Sequence, residues 1–163
     1  MAAIKVRPAE AADAAEIVYL GALMYKSVGA KPTPTWALES TALVKQRLGD
    51  DLYGVVIDAE EGGLAACGLI NLAPRLPRPG RKAHRSGYIQ WVSTAPQYHR
   101  RGYARAIMTA LLEWTDEQGI EVIELHATPT GRELYRELGF FVKADNISMM
   151  ALRADAANEV PEV

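Results

Sequence analysis

The stretch from Gly87 to Gln118 constrains the fold more than any other part of the chain. Gly87 to Thr94 is a short run of apolar, aromatic and β-branched residues that predicts a strand, and Pro96 closes it. After a short loop the periodicity changes to 3.6. Ala104, Ile107, Met108, Leu111 and Leu112 then share one face, which predicts an amphipathic helix from Ala104 to Gln118 with Gly119 as its C-terminal cap. A strand that feeds such a helix must offer the helix an apolar sheet face to cover, so the chain belongs to the classes that layer helices on a sheet.

The remaining segments extend that layering. Ile4 to Arg7 alternates and predicts a first strand ended by Pro8. From Asp13 a helical period places Ile17, Leu20, Met24 and Val28 on one face, with Asp13 and Glu16 spaced as a capping box and Gly29 as the stop. Pro32 and Pro34 mark a loop before a second helix over about Thr35 to Leu48. Leu52 to Asp58 and Leu64 to Leu72 flank Glu60-Glu61-Gly62-Gly63 and predict an antiparallel hairpin. Pro74, Pro77, Pro79 and Gly80 then predict a loop outside the sheet, facing a substrate or simply connecting. Val122 to Ala127 predicts a strand and Gly131 to Leu138 a short helix; Phe140 to Lys143 and Ser148 to Arg153 predict the last strands. The expected fold class is α/β in the α+β sense: a mixed, largely antiparallel central sheet with flanking helices, one domain over 1–153 and a flexible tail over 154–163.

Composition narrows the function. At 163 residues, 49% hydrophobic and 23% charged, the chain is long and apolar enough to bury a core without staples. A formal net charge of -2 argues against nucleic acid or an anionic membrane as partner, since both favour a basic surplus. No apolar run reaches the length of a membrane span, and the opening residues lack the apolar core of a secretory signal. One cysteine, Cys67, offers neither an internal disulfide nor a metal cluster. It reads as a small buried hydrophobe, no metal is expected, and a cytoplasmic location is expected.

The loop Thr94-Ala95-Pro96-Gln97-Tyr98-His99-Arg100-Arg101-Gly102-Tyr103-Ala104-Arg105 carries the chemistry. Gly102 and Ala104 let the backbone approach a ligand, and the unpaired amides of the helix's first turn suit a phosphate or pyrophosphate. Arg100, Arg101 and Arg105 add positive charge. By itself the same composition also describes a solvated basic turn. It lacks the glycine-lysine-serine/threonine core of a Walker loop and the three glycines of a dinucleotide fingerprint.

His99-Arg100-Arg101-Gly102-Tyr103-Ala104 resembles motif A of the GCN5-related N-acetyltransferases, Arg/Gln-x-x-Gly-x-Gly/Ala. Leu125-His126-Ala127-Thr128 followed by Gly131-Arg132-Glu133-Leu134-Tyr135-Arg136-Glu137-Leu138-Gly139-Phe140 resembles motif B, which ends in Leu-Tyr-x-x-x-Gly-Phe. The opening Ile-x-Val-Arg-Pro and the order of elements are also similar, so the resemblance spans Ile4 to Arg153. It implies the acyl-CoA N-acyltransferase fold and acetyl-CoA as co-substrate. It further implies that backbone groups of Val92, Ser93 and Thr94 pair with the pantetheine arm. The segment His99, Arg100, Arg101, Gly102, Tyr103, Ala104 and Arg105 would hold the pyrophosphate, with Thr128 among the cofactor contacts. Tyr135 would supply a hydrogen bond or proton to the departing sulfur, a reasonable task for a phenol beside a forming thiolate.

Two departures stand out. His99 occupies a position where the family usually has arginine or glutamine; a histidine there can hydrogen-bond the loop or a phosphate. The strand Tyr88-Ile89-Gln90-Trp91-Val92-Ser93 carries no carboxylate to serve as base. Gln90 and Ser93 could orient a water, His84 or His126 could accept a proton, and the residues alone name no base. Trp36 and Trp91 are candidates to line the acceptor pocket or simply core, and Glu39 could attract a cationic amine. Arg75, Arg78, Arg81, Lys82 and Arg85 form a basic cluster for an acidic acceptor or the 3′-phosphate of CoA, or a solvated loop. The reading is an acetyl-CoA-dependent N-acetyltransferase acting on a small-molecule or peptide amine by direct attack in a ternary complex. The resemblance also admits a homodimer. The competing reading is a non-catalytic acyl-CoA-binding sensor or interaction module of the same fold.

Overall fold

The protein is described by a computed structural model over residues 3–82 and 84–142. Among the described residues five strands form one sheet in the order β1-β2-β3-β4-β5. They are β1 (Arg7–Pro8), β2 (Leu52–Asp58), β3 (Leu64–Arg75), β4 (His84–Thr94) and β5 (Val122–Leu125). The first four pair antiparallel, and β5 runs parallel to β4. Four α-helices flank the sheet: α1 (Ala14–Ser27), α2 (Pro34–Arg47), α3 (Tyr103–Glu117) and α4 (Arg132–Glu137). The expected mixed sheet with flanking helices is therefore the fold.

The strands alternate between two cores. Leu52 and Val56 of β2 with Cys67 and Leu69 of β3 turn toward α1, where Ile17 and Leu20 meet them. Val55 and Ile57 with Ala66 and Ile70 turn the other way, against Ile107, Met108 and Leu111 of α3. That period of two allows both faces to be apolar. The three α3 side chains are fully buried, each contributing about 1.5–3 kcal/mol relative to exposure. α2 starts on a side-chain cap, with the Thr33 hydroxyl accepting from the Trp36 amide at 3.1 Å and Pro34 as first helical residue.

The structure corrects several expected boundaries. Pro8 lies within β1 rather than ending it, which an edge strand tolerates because the missing N–H can face away from the sheet. β1 also begins at Arg7, not Ile4. The capping box is not Asp13 with Glu16: Glu10 and Asp13 form it on the 3-10 turn Ala11–Asp13, and Asp13 gives α1 no side-chain cap. Pro74 does join the sheet. β3 runs on to Arg75, pairing Pro74 with Arg85, at a point where β2 has already ended opposite Asn71 and one edge of β3 is free. β4 accordingly starts at His84 rather than Gly87, and β5 stops at Leu125 rather than Ala127. Residues 140–142 are not a strand, and the expected strand over Ser148 to Arg153 lies outside the described residues.

Candidate active site

Strands β4 and β5 pair only from Ser86 with Val122 to Ile89 with Leu125. Beyond that, β4 continues alone beside β3 while the chain after β5 turns toward α4. A notch therefore opens beside Gln90 to Thr94. A β-bulge sharpens it: Cys67 faces Ser93 and Leu69 faces Gln90, leaving Gly68 opposite both Trp91 and Val92. Trp91 takes a left-handed backbone, φ 54°, and its carbonyl receives the Cys67 Sγ at 3.4 Å. Gly68 is required here by close approach, since a Cβ would sit 2.5 Å from the Ile107 Cγ2 of α3.

The three β4 residues expected to meet a cofactor line this notch. Val92 lies in the bulge, while Ser93 and Thr94 pair with Cys67 and Ala66 on their other side. The Ser93 hydroxyl, a candidate to orient water, is instead buried and donates to the Leu20 carbonyl at 2.8 Å, tying α1 to the strand. His99 turns its ring back on the loop: Nε2 donates to the Thr94 carbonyl at 2.8 Å and clips the loop to the end of β4. The loop contact is one of its two expected uses.

Gly102 stands at the start of α3 with φ 83°, a left-handed conformation that disfavours any side chain, and Arg100 precedes it with φ 60°. The amides of the first turn of α3 thus begin immediately beyond a sharp reversal, with no intrahelical acceptor. They open on a cleft of about 490 Å³ lined by Arg100, Gly102, Arg105, Thr130, Glu133 and Glu137. Arg101 lies over the Tyr98 ring at 5.6 Å, and Tyr98 meets Tyr103 edge to face, so aromatic contacts brace the loop. Arg105 forms an ion pair with Glu137 across the cleft, so part of the positive charge read from the sequence is already shared with α4.

Thr128 sits at the turn into α4, its hydroxyl accepting from the Gly131 amide at 3.3 Å and its carbonyl accepting from Gly131 and Arg132 at 3.1 Å. One turn further on, Tyr135 packs half-buried against Phe140 with ring centroids 6.0 Å apart. Its hydroxyl has no hydrogen-bond partner among the described residues, and burial pushes the phenol's pKa above its ordinary value, so the proton stays on. A protonated phenol free to donate is what a departing thiolate needs.

On the α1 side of the notch, Trp36 and Trp91 join Tyr25, which sequence reasoning did not single out. The three rings lie 5.7–6.2 Å apart, and the Trp91 Nε1 donates to the Tyr25 hydroxyl at 3.2 Å. Tyr25 was legible as the neighbour of Met24 at the rim of the α1 stripe. Tyr88, also unremarked, touches His126. Glu39 is exposed on α2. Cys67 is fully buried and its thiol is pushed up to about 12. The basic cluster lies at the opposite end of β4 from the arginine loop, about 30 Å away at 3.3 Å per residue. There Arg81 pairs with Glu121 and Arg75 donates to the Ser86 hydroxyl. Among the described residues no group of three metal-binding side chains converges, and no helix is long and apolar enough to cross a membrane.

Comparison with known proteins gives a consistent set of matches. The family model described as "Acetyltransferase (GNAT) family" matches residues 22–140. No protein of curated function matches the chain in sequence. Among solved structures, a predicted acetyltransferase from Clostridium acetobutylicum, solved with acetyl-CoA, superposes with a TM-score of 0.78 at 22% identity, covering 91% of this chain and 96% of that one. A GCN5-related N-acetyltransferase from Ralstonia eutropha gives 0.74 at 24% identity, covering 91% and 99%. The glucosamine-6-phosphate N-acetyltransferase of Arabidopsis thaliana gives 0.67 at 19% identity, again covering 91% and 99%. At these identities the structural likeness establishes the fold.

Proposed function

We propose an activity from one established premise: the chain belongs to the acetyltransferase (GNAT) family. In our reading it moves the acetyl group of acetyl-CoA to a primary amine by direct attack, with both substrates bound together. The observation that supports this best is the coincidence of the opened β4–β5 notch with a glycine-led helix start and an unpartnered, protonated Tyr135. The residues fit acetyl-CoA chemically. The β4 backbone at Val92, Ser93 and Thr94, beyond the last pair with β5, can pair with the amides of the pantetheine arm. The amides from Arg100 to Arg105 and the guanidinium groups of Arg100 and Arg101 suit the pyrophosphate, with His99 holding that loop in place. Thr128 orders the turn that carries α4 to the cleft. Tyr135 donates its proton to the sulfur as the thiolate leaves. A covalent relay through cysteine has no support, since a buried thiol pushed up to about 12 is a poor nucleophile.

Calorimetric titration of acetyl-CoA into the purified protein tests the binding half. A dissociation constant in the micromolar range, about -8 kcal/mol, is expected. Thiol release in the presence of a panel of amines tests the transfer half. Absence of binding at millimolar acetyl-CoA would sink the reading.

A further inference from the structure

The strand that runs beside the notch has no carboxylate, yet an amine that arrives as an ammonium must lose protons before and after it attacks. The structure holds a different proton acceptor at that place. In the parallel register Tyr88 faces Glu124 and Ile89 faces Leu125, the last pair before the two strands part. Alternation puts His126, two residues after Glu124, on the same side of the sheet as Tyr88. The Tyr88 hydroxyl lies 2.6 Å from the His126 Nδ1, at the short end of hydrogen-bond lengths, and the rings meet edge to face at 5.6 Å. Tyr88 is half-buried, whereas His126 is exposed and its Nε2 has no partner among the described residues. Burial first, and then the Tyr25 hydroxyl of α1, raise the Tyr88 pKa, so the phenol keeps its proton, and the imidazole tautomer sets which group donates in the resting pair.

We propose that Tyr88 and His126 form the proton exit of the transfer reaction: the Tyr88 oxygen takes a proton from the acceptor nitrogen as its own proton passes to the His126 Nδ1, and the exposed imidazolium releases one to water from Nε2. This inference rests on the acetyl-transfer reading above. Its bookkeeping closes. An acceptor ammonium gives up one proton by this route, and its nitrogen then attacks the thioester carbonyl. The C–N bond forms and the C–S bond breaks; solvent restores the Nε2–H tautomer of the exposed His126, adding a proton at Nε2 and taking one from Nδ1, and the second nitrogen proton then leaves by the same route. Tyr135 protonates the sulfur and is itself reprotonated from solvent. One ammonium and one acetyl thioester become an amide, a thiol and one proton released. The other titratable groups around the pair are Tyr25 from α1, Glu124 from β5 and, one strand further along the same face, Arg75 held on Ser86.

Two experiments test the relay. Nitrogen-15 shifts of the His126 ring in the free protein above neutral pH report its tautomer without any need for turnover. A proton on Nε2 is expected; a proton on Nδ1 would overturn the relay, because Tyr88 would then have nowhere to send its own. With an amine accepted in the panel, the unaltered enzyme should show kcat/KM rising with pH through an inflection. His126→Gln should abolish that inflection and lower kcat about 100-fold, with acetyl-CoA affinity unchanged as the sign of an intact fold. Tyr88→Phe should do the same, and the double variant should be no worse than either single one, because the two act as a unit. An inflection retained in His126→Gln, or losses that multiply in the double variant, would remove the relay and leave the transferase. No turnover by the unaltered protein on any amine, despite bound acetyl-CoA, would remove the transfer reading and the relay with it.

Discussion

The hydroxyl of Tyr135 and the thiol of Cys67 are both moved upward in pKa by burial, with opposite consequences. For the phenol a raised pKa retains the proton that a leaving thiolate requires. Tyr135→Phe removes that donor while leaving the ring packed on Phe140, so turnover should drop about 100-fold with acetyl-CoA affinity preserved; equal loss of both would assign Tyr135 to packing. For the thiol the same physics means inertness, since only the thiolate reacts and Cys67 is fully enclosed. An aromatic disulfide reagent at pH 8 should leave the native protein unlabelled and react once per chain in urea. Prompt labelling of the native state would contradict the burial described. Tyr135 was legible because its flanking motif is local in sequence. The Tyr88–His126 contact was not, because 38 residues separate the partners and a parallel register brings them together.

Among the elements, β4 decides the site. Its antiparallel edge with β3 carries the bulge, and its parallel edge with β5 ends early, so one strand both completes the sheet and opens it. Gly68 makes this arrangement possible by letting α3 settle on the sheet opposite the bulge. Gly68→Ala places a methyl 2.5 Å from the Ile107 Cγ2 and 3.1 Å from the Leu111 Cδ1. Such overpacking should destabilise by about 1–3 kcal/mol, read from urea unfolding. It should also weaken acetyl-CoA binding by shifting α3, and a variant as stable as the parent would show that α3 is not seated as tightly as described. The helices were legible to within a residue or so because their apolar stripes and stops are local. Strand ends were less so. Pro74 argued for a loop on its own chemistry, but it lies where β3 has lost its β2 neighbour, and only the sheet's topology reveals that free edge.

Across the whole molecule, Arg7 ties the beginning of the chain to the sheet. Its guanidinium donates to Asp13 at 2.8 and 2.9 Å and to Asp58 at 2.7 and 2.8 Å, joining β1, the turn before α1 and the end of β2. The hydrogen bonds from Arg7 hold both carboxyls below their usual range. A carboxyl depressed in the folded state contributes stability that is present above its unfolded pKa, near 4, and lost as pH falls through the lower folded value. Arg7→Met should therefore cost about 1–2 kcal/mol near neutral pH, mostly through the better shielded Asp13. The urea midpoints of parent and variant should converge as pH falls below about 4. A gap that stays constant down to pH 2 would mean that packing of the arginine stem, rather than its charge, supports the fold.

The sequence by itself determined the fold class, the three long helices, the central strands, and two motifs in the order and spacing of an acetyltransferase. These are consequences of local periodicity, turn chemistry and the special backbone of Gly102, all of which act over a few residues. Tertiary structure alone decided which groups are free and which are spent. Ser93 is committed to Leu20, His99 to Thr94 and Arg105 to Glu137, while Tyr135 keeps an open hydroxyl and Tyr88 meets His126. Hydrogen-bond partners are chosen by proximity in space, and proximity across a sheet is fixed by register, which no single segment encodes.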